Sequence, residues 1–313
     1  MTDLSLILLH WNRPGLIRGC LERLRGWDRA GIDVWVVDNG SRTSPDSLRA
    51  ALPAARWLPS ERNLGFGGGN NLALRRAAGR YLLLMNPDAV MEEGDARRLL
   101  SVLDRRPDLF AVGPLIVQRW SNRERVTAGG RDIGRYPRTH QRLDELPPGT
   151  RDSREPIPVR YVPGTAVLLR RREAIRLGGF DEAYFFAGEM ADLCERARAA
   201  GLSSAVLPSA RAEHDMEEAG TGRTDLYPYY ILRNRFLFVR RHRRLGRFPL
   251  LAFWSAYGLA KMSQAVARGD HDRGRALGLA VLDGLRGRYG GANRRVLRSN
   301  GQPPGSGAGG ARS

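Results

Sequence analysis

Cysteine is nearly absent. Cys20 and Cys194 are the only two in 313 residues, too few for a disulfide framework and wrongly spaced for a metal knuckle. Both fall in helical patterns and read as core thiols of a protein kept in a reducing compartment. Lysine is scarcer still: of 51 basic residues only Lys261 is not arginine. The first residues, MTDLSLILLHWNRPG, carry no basic n-region and no cleavage site, so a secretory signal is not expected. No apolar run reaches the roughly 18 residues of a membrane-spanning helix. The longest, over residues 248–267, is broken by Lys261 and by polar and small residues. Several catalytic signatures are missing as well. There is no H-E-x-x-H and no G-x-S-x-G. Lys261 has no glycine run before it, so there is no Walker A loop, and Asn70 stands where a dinucleotide fingerprint begun at Gly65 and Gly67 would need its third glycine.

What is present supports a folded core, since hydrophobic residues make up 42% of the chain. The formal net charge of +18 is read first as compositional bias. Contact with phosphates, on anionic lipid or on a charged substrate, comes second. Nucleic-acid binding is a third reading, motivated by charge alone, because no nucleic-acid motif accompanies it.

Residues 4–9 form an apolar strand, and Pro14 suits the first turn of a helix to about residue 25. A second buried strand covers 33–37 and ends in Asp38-Asn39-Gly40-Ser41; a helix near 45–52 and a short strand near 56–58 follow. Gly65, Gly67, Gly68 and Gly69 then make a glycine loop able to approach a ligand closely, because glycine has no Cβ and tolerates positive φ. A helix over 70–78, stopped by Gly79, leads to a strand over 81–85 buried on both faces. Pro87 ends its ladder and leaves Asp88 at the carboxyl edge, where open α/β sheets bind ligands. An amphipathic helix over 92–105 and a strand over 110–117 complete a first half. The polar, Arg-, Gly- and Pro-rich stretch 118–158 reads as a long functional loop. Structure resumes with a strand over 161–169, helices over 171–177 and 189–200, and a last strand over 203–207. The alternation indicates an α/β fold, a mostly parallel sheet flanked by helices. From Tyr227 the pattern is helical and basic. Tyr229, Tyr230, Phe236 and Phe238 beside Arg240, Arg241, Arg243 and Arg244 suit either a membrane surface or a helix with buried aromatics and solvated arginines. Residues 301–313 read as a disordered tail.

Acids at sheet edges and loop exits supply the chemistry. A divalent metal bridging a diphosphate takes hard oxygen ligands, and Asp88 is placed to be one. His214, after the last strand, can be a second ligand for a borderline ion such as Mn²⁺, or simply a surface histidine beside Asp215, Glu217 and Glu218. Asp38 can bind the base or ribose of a nucleotide, or close an Asx turn. Glu189 and Asp192 share one face at a helix start, where the dipole favours their ionised forms. A carboxylate there can take a proton from an attacking hydroxyl. The rival reading is helix capping with an Asp192–Arg196 pair.

In order and spacing, Leu6-Ile7-Leu8-Leu9-His10-Trp11-Asn12, Val36-Val37-Asp38-Asn39-Gly40-Ser41, Asn63-Leu64-Gly65-Phe66-Gly67 and Met85-Asn86-Pro87-Asp88 resemble glycosyltransferase family 2, its rhamnosyltransferase-like branch above all. Gly164-Thr165-Ala166, Gly178-Gly179-Phe180-Asp181-Glu182, Asp192-Leu193-Cys194, His214, Tyr229-Tyr230 and Arg233-Asn234 extend the resemblance over residues 4–245. It implies a GT-A fold with a C-terminal helical extension, and inverting transfer of rhamnose or a similar hexose from a nucleotide-diphosphate sugar to a hydroxyl of a glycan, lipid-linked or small-molecule acceptor. The donor is then expected to meet Asn12, Asp38, Asn63, Gly65, Phe66, Gly67, Asn70, Asn86 and Asp88, and the acceptor Gly164, Thr165, Asp181 and Glu182. Mn²⁺ or Mg²⁺ is expected at Asp88 and His214. The family usually reads Glu-Asp-x-Asp before Leu-Cys, with the base at the first aspartate. Here the run is Glu189-Met190-Ala191-Asp192, and Met190 cannot accept a proton. Glu189 or Asp192 takes the role, Glu189 being preferred as longer and nearer the helix start, or the protein is a catalytically impaired sugar-nucleotide-binding scaffold. The expected organisation is a nucleotide-sugar half at 1–117, an acceptor and catalytic half at 118–226, a membrane-associating helical region at 227–298 and a tail at 299–313. A cytoplasmic protein, peripheral on the inner face of the membrane, follows from the same reading.

Overall fold

The computed structural model describes residues 3–297 except 29, 43–45, 121, 147, 152 and 216–225. Pro45, Glu217, Glu218 and the tail 299–313 lie outside the described residues. The first half runs β1 (Leu4–His10), α1 (Pro14–Leu24), β2 (Ile32–Asp38), α2 (Asp46–Arg49), β3 (Arg56–Pro59), α3 (Gly65–Arg76), β4 (Tyr81–Met85), β5 (Ala89–Val90), α4 (Glu93–Arg105) and β6 (Leu109–Trp120). The second runs β7 (Arg123–Gly130), β8 (His140–Arg142), β9 (Ile157–Val159), β10 (Ala166–Arg170), α5 (Arg171–Arg176), α6 (Glu189–Ala199) and β11 (Ser203–Asp215). Helices α7 (Leu226–His242), α8 (Arg247–Ala267), α9 (His271–Arg286) and α10 (Asn293–Val296) follow.

These strands form one sheet with the order β3-β2-β1-β4-β10-β6-β11-β5. Pairing is parallel across β3, β2, β1 and β4 and again between β6 and β11. Between the two blocks β10 runs antiparallel to both neighbours. Alternate side chains divide the interior, as strand geometry requires. Leu4, Leu6 and Leu8 of β1 join a core with α1 and α4, while Ile7 joins one with α3, α5 and α6 on the other face.

Two expectations change and one open alternative closes. The stretch 118–158 is not a loop throughout: β6 continues to Trp120, β7 folds back on it, and β8 and β9 pair with β7 and β11. Polar side chains and glycines hid these strands, because most of the stretch packs on one face only. The glycine run is not a loop either but the opening turns of α3. Gly65 needs its positive φ of 75° and faces the Phe185 carbonyl, Gly68 packs on Leu64, and Gly69 on Leu9. A Cβ on Gly67 would stand 3.1 Å from Phe180 Cβ and 3.5 Å from Glu189 Cγ. The close approach is therefore of helix to protein. Finally, the aromatics of α7 are not a membrane face: Tyr229, Tyr230, Phe236 and Phe238 are fully buried. Among the described residues no helix is long and apolar enough to cross a membrane.

Candidate active site

At the carboxyl edge of β4, the Asn86 amide donates to the Thr165 carbonyl at 2.9 Å and the chain turns into β5. There β5 pairs antiparallel with β11, His214 opposite Ala89. That register sets His214 Nε2 3.2 Å from Asp88 Oδ1, both side chains buried. His214 therefore lies within a long strand rather than after a short one. Neither of its ring nitrogens has a partner in hydrogen-bond geometry among the described residues. A buried imidazole facing a buried carboxylate fits the donor set of a borderline divalent ion. Among the described residues no group of three or more His, Cys, Asp or Glu converges. Two protein ligands would leave most of the ion's shell for phosphate oxygens and water.

The second acidic position is built by a strained loop. Phe185 and Ala187 have φ of 62° and 67°, and Gly188, at 102°, caps the start of α6. Left-handed backbone at non-glycine residues persists only where surroundings hold it. Here Asn234 Nδ2 donates to the carbonyls of Tyr184, Phe186 and Ala187 at 3.0, 2.8 and 2.5 Å. Arg233 donates to the Tyr184 carbonyl at 2.8 Å and to Asn234 Oδ1 at 2.7 Å. The Phe66 amide at the start of α3 donates to the Phe185 carbonyl at 2.7 Å. The glycine helix and α7 thus clamp the loop from two sides and fix Glu189 as the first residue of α6.

Glu189 is 3% exposed, and its Oε1 has no hydrogen-bond partner among the described residues. Burial pushes its carboxyl up to about 7; its backbone hydrogen bond and the Arg233 charge pull the other way, and Asp192 adds repulsion. Asp192 is placed differently. Its Oδ2 accepts from Arg196 Nε and Nη2 at 2.8 and 2.7 Å, and its Oδ1 lies 2.7 Å from His242 Nε2. Burial pushes the Asp192 carboxyl up, but His242 and Arg196 outweigh it and hold it below the usual range. With both oxygens committed, Asp192 is the pivot of a buried network. Glu189 keeps a free carboxylate oxygen and a proton affinity near neutrality, as a general base requires.

A cavity of about 780 Å³ has both His214 and Glu189 in its wall, while Asp88 is outside its lining. Phe66, Asn86, Gly164, Thr165, Glu189 and His214 line it. Met190 lines it too, at the position where the resemblance placed an aspartate. The other expected residues lie outside its lining. Asp38 Oδ1 accepts from the Ser41 amide three residues on at 3.0 Å, closing the turn after β2, and Asn12 bonds Ser41 and Arg42. Asn63 accepts from Asn39 and from the Gly65 amide, and Asn70 donates to the Phe66 carbonyl. Asp181 closes a turn and meets Arg241 at 3.2 Å; Glu182 accepts from Asn71. Neither of these is in the cavity lining. Gln118, His140, Tyr227 and Arg235 line it too; Gln118 and His140 lie in a stretch without periodicity, whereas Tyr227 and Arg235 stand beside the Tyr229-Tyr230 and Arg233-Asn234 motifs.

The profile of "Glycosyl transferase family 2" matches residues 5–177. The N-acetylglucosaminyl-diphospho-decaprenol L-rhamnosyltransferase of Mycobacterium tuberculosis is 30% identical over 284 residues, covering 81% of this chain and 89% of that one. Two solved structures share the fold at 15% identity. GalNAc-T7, solved with UDP, GalNAc and Mn²⁺, superposes with a TM-score of 0.61 over 77% of this chain and 48% of its own. A mannosyltransferase from Pyrobaculum calidifontis, in complex with GDP-Man and Mn²⁺, superposes with a TM-score of 0.58 over 90% and 87%.

Proposed function

The chain belongs to glycosyl transferase family 2, with a GT-A fold and transfer from a nucleotide-sugar donor as its activity, and from that premise we propose that it moves L-rhamnose or a similar hexose, with inversion, onto a diphosphate-linked sugar on a lipid carrier. The observation that carries the mechanism is the buried, unpartnered Oε1 of Glu189 on the cavity wall. Glu189 takes the proton of the acceptor hydroxyl. The hydroxyl oxygen then forms its bond to the anomeric carbon from the face opposite the donor diphosphate, and the carbon–oxygen bond to that diphosphate breaks with its electron pair. Mn²⁺ or Mg²⁺ held by Asp88 and His214 would neutralise charge on the departing diphosphate. Asn86 and Thr165 line the passage between this end and Glu189. Asp38 and Asn12, at the edges of β2 and β1, border the nucleoside end.

The acceptor class rests on the Mycobacterium relative, whose name contains such a carrier. A panel of nucleotide-diphosphate sugars that includes an L-rhamnose donor, offered with an N-acetylglucosaminyl-diphosphoprenol, tests it; sugar transfer to the prenol-linked acceptor is the expected result. Met190 favours one rival, a scaffold that binds the nucleotide sugar without turnover. Donor binding with no transfer to any acceptor would establish the rival.

Contact with an anionic membrane surface belongs to the same reading. Residues 226–269 contain no acidic side chain and nine basic ones. Leu245 and Phe248, 93% and 80% exposed, project where α7 turns into α8, beside exposed Arg241 and Arg244, and Leu259 and Val266 continue the same exposed side of α8. Apolar side chains ringed by cations suit an anionic headgroup layer. Replacing Leu245 and Phe248 together by aspartate is expected to weaken sedimentation with anionic vesicles about tenfold or more, each large apolar side chain contributing roughly 1.5–3 kcal/mol when fully buried. A full-length protein that ignores anionic vesicles would remove this surface from consideration.

A further inference from the structure

Helix α7 buries two arginines, and neither touches a carboxylate among the described residues. Other buried arginine-facing acids, Asp192, Glu195 and Asp283, show the contrasting arrangement, each in an ion pair with arginine. The charge of Arg233 is felt by Glu189. Arg235, 3% exposed, has no such neighbour. Burial pulls it down to about 10, and the groups that act against this are the hydroxyls of Tyr257, Tyr161 and Tyr227. A buried charge is costly unless an opposite charge answers it.

The guanidinium is held rigidly. Nη1 donates to the carbonyls of Ile133 and Tyr136, both at 2.7 Å, and Nη2 to that of Pro137 at 2.6 Å. Its face lies 4.1 Å from the ring centre of Trp254, which is fixed in turn by a 2.8 Å hydrogen bond to the Gly134 carbonyl. Three of five donors are thereby used, and Nε has no acceptor among the described residues. Arg235 lines the same cavity as Glu189, and Arg273 of α9 stands at its rim. A planar, preorganised cation without a counter-ion on a cavity wall is matched to a phosphate oxygen, which guanidinium binds through charge-assisted hydrogen bonds.

We propose that Arg235 is the anion subsite for the acceptor: it binds the phosphate that links the acceptor sugar to its carrier while Glu189 meets the sugar hydroxyl. The proposal rests on the transferase reading above and goes beyond it, because it makes the phosphate link, rather than the sugar alone, what the cavity selects.

Two acceptors separate the possibilities, an alkyl N-acetylglucosaminyl diphosphate and the neutral alkyl N-acetylglucosaminide of the same chain length. The wild type should show a KM for the diphosphate acceptor about 10- to 100-fold lower than for the neutral one, the range of one charge-assisted hydrogen bond. Arg235→Gln should bring the KM ratio close to one, and Arg235→Lys, which keeps the charge and loses the fork, should recover part of it. Lack of discrimination by the wild type overturns the proposal without recourse to any variant. So does an equal loss by Arg235→Gln on both acceptors, which would make the side chain a clamp for 133–137 only. A rise confined to the donor KM would also overturn it, by moving the arginine to the donor diphosphate. Transfer to neither acceptor by the wild type would fail the underlying reading instead.

Discussion

Glu189→Gln is expected to lower kcat by roughly 10²–10⁴-fold, the span of a positioned general base, while leaving donor-induced thermal stabilisation in place. In the wild type, kcat should fall about tenfold per pH unit below an apparent pKa near 7, because burial raises the Glu189 carboxyl to about that value. The same rise has a stability signature. The folded pKa lies above the ordinary 4.5, so the contribution of Glu189 to stability is fully present below pH 4.5 and is lost as the pH rises through about 7. The loss amounts to about 3 kcal/mol on the usual conversion of pKa to free energy. The Gln variant cannot titrate. Its stability relative to the wild type should therefore improve by several degrees of Tm between pH 4 and pH 8. Substantial transfer by Glu189→Gln would return the role to Asp192, against the geometry that spends both Asp192 oxygens on Arg196 and His242.

Asp88→Ala should abolish the Mn²⁺-dependent part of donor binding. For the wild type, a nucleoside diphosphate at about 100 times its Kd in the presence of Mn²⁺ stabilises the folded state by about 2.7 kcal/mol, readable as a thermal shift that EDTA removes. The variant should show little shift with or without EDTA. His214→Ala should lose part of it, since the ion would keep Asp88 and the donor phosphates. Donor affinity that is the same in wild type and Asp88→Ala, and indifferent to EDTA, would contradict the assignment of Asp88 and His214 as ligands.

Legibility in the sequence followed burial and locality. The strands of β1, β2 and β4 and the helices α1, α4 and α6 carry strong periodicity, because each packs a continuous apolar face, and their positions agree closely with the expected ones. The strands after Gln118 were not legible, since β7, β8 and β9 have polar or glycine-rich sequences whose pairing is decided by neighbours far along the chain. His214 illustrates the same limit. Alone it reads first as a surface histidine; only the pairing of β5 with β11 brings it to Asp88. In the sequence Glu189 is preferred to Asp192 only on length and position, because two acids three residues apart on a helix look alike until the partners Arg196 and His242 are seen.

By itself the sequence determined the fold class, the family and the placement of Asp88 at the edge of the sheet, all of which rest on local runs of residues in a fixed order. It also placed Glu189 and Asp192 at a helix start in the absence of the usual aspartate. Tertiary structure alone decided which of the two keeps an oxygen free. It also decided that the glycines of α3 serve to bring that helix against the Glu189 loop, and that α7 holds the loop through Arg233 and Asn234 and sets Arg235 in the cavity wall. The physical reason is common to all three. Desolvation, hydrogen-bond commitment and close packing are properties of a residue's surroundings, and in this chain those surroundings come from segments more than a hundred residues away.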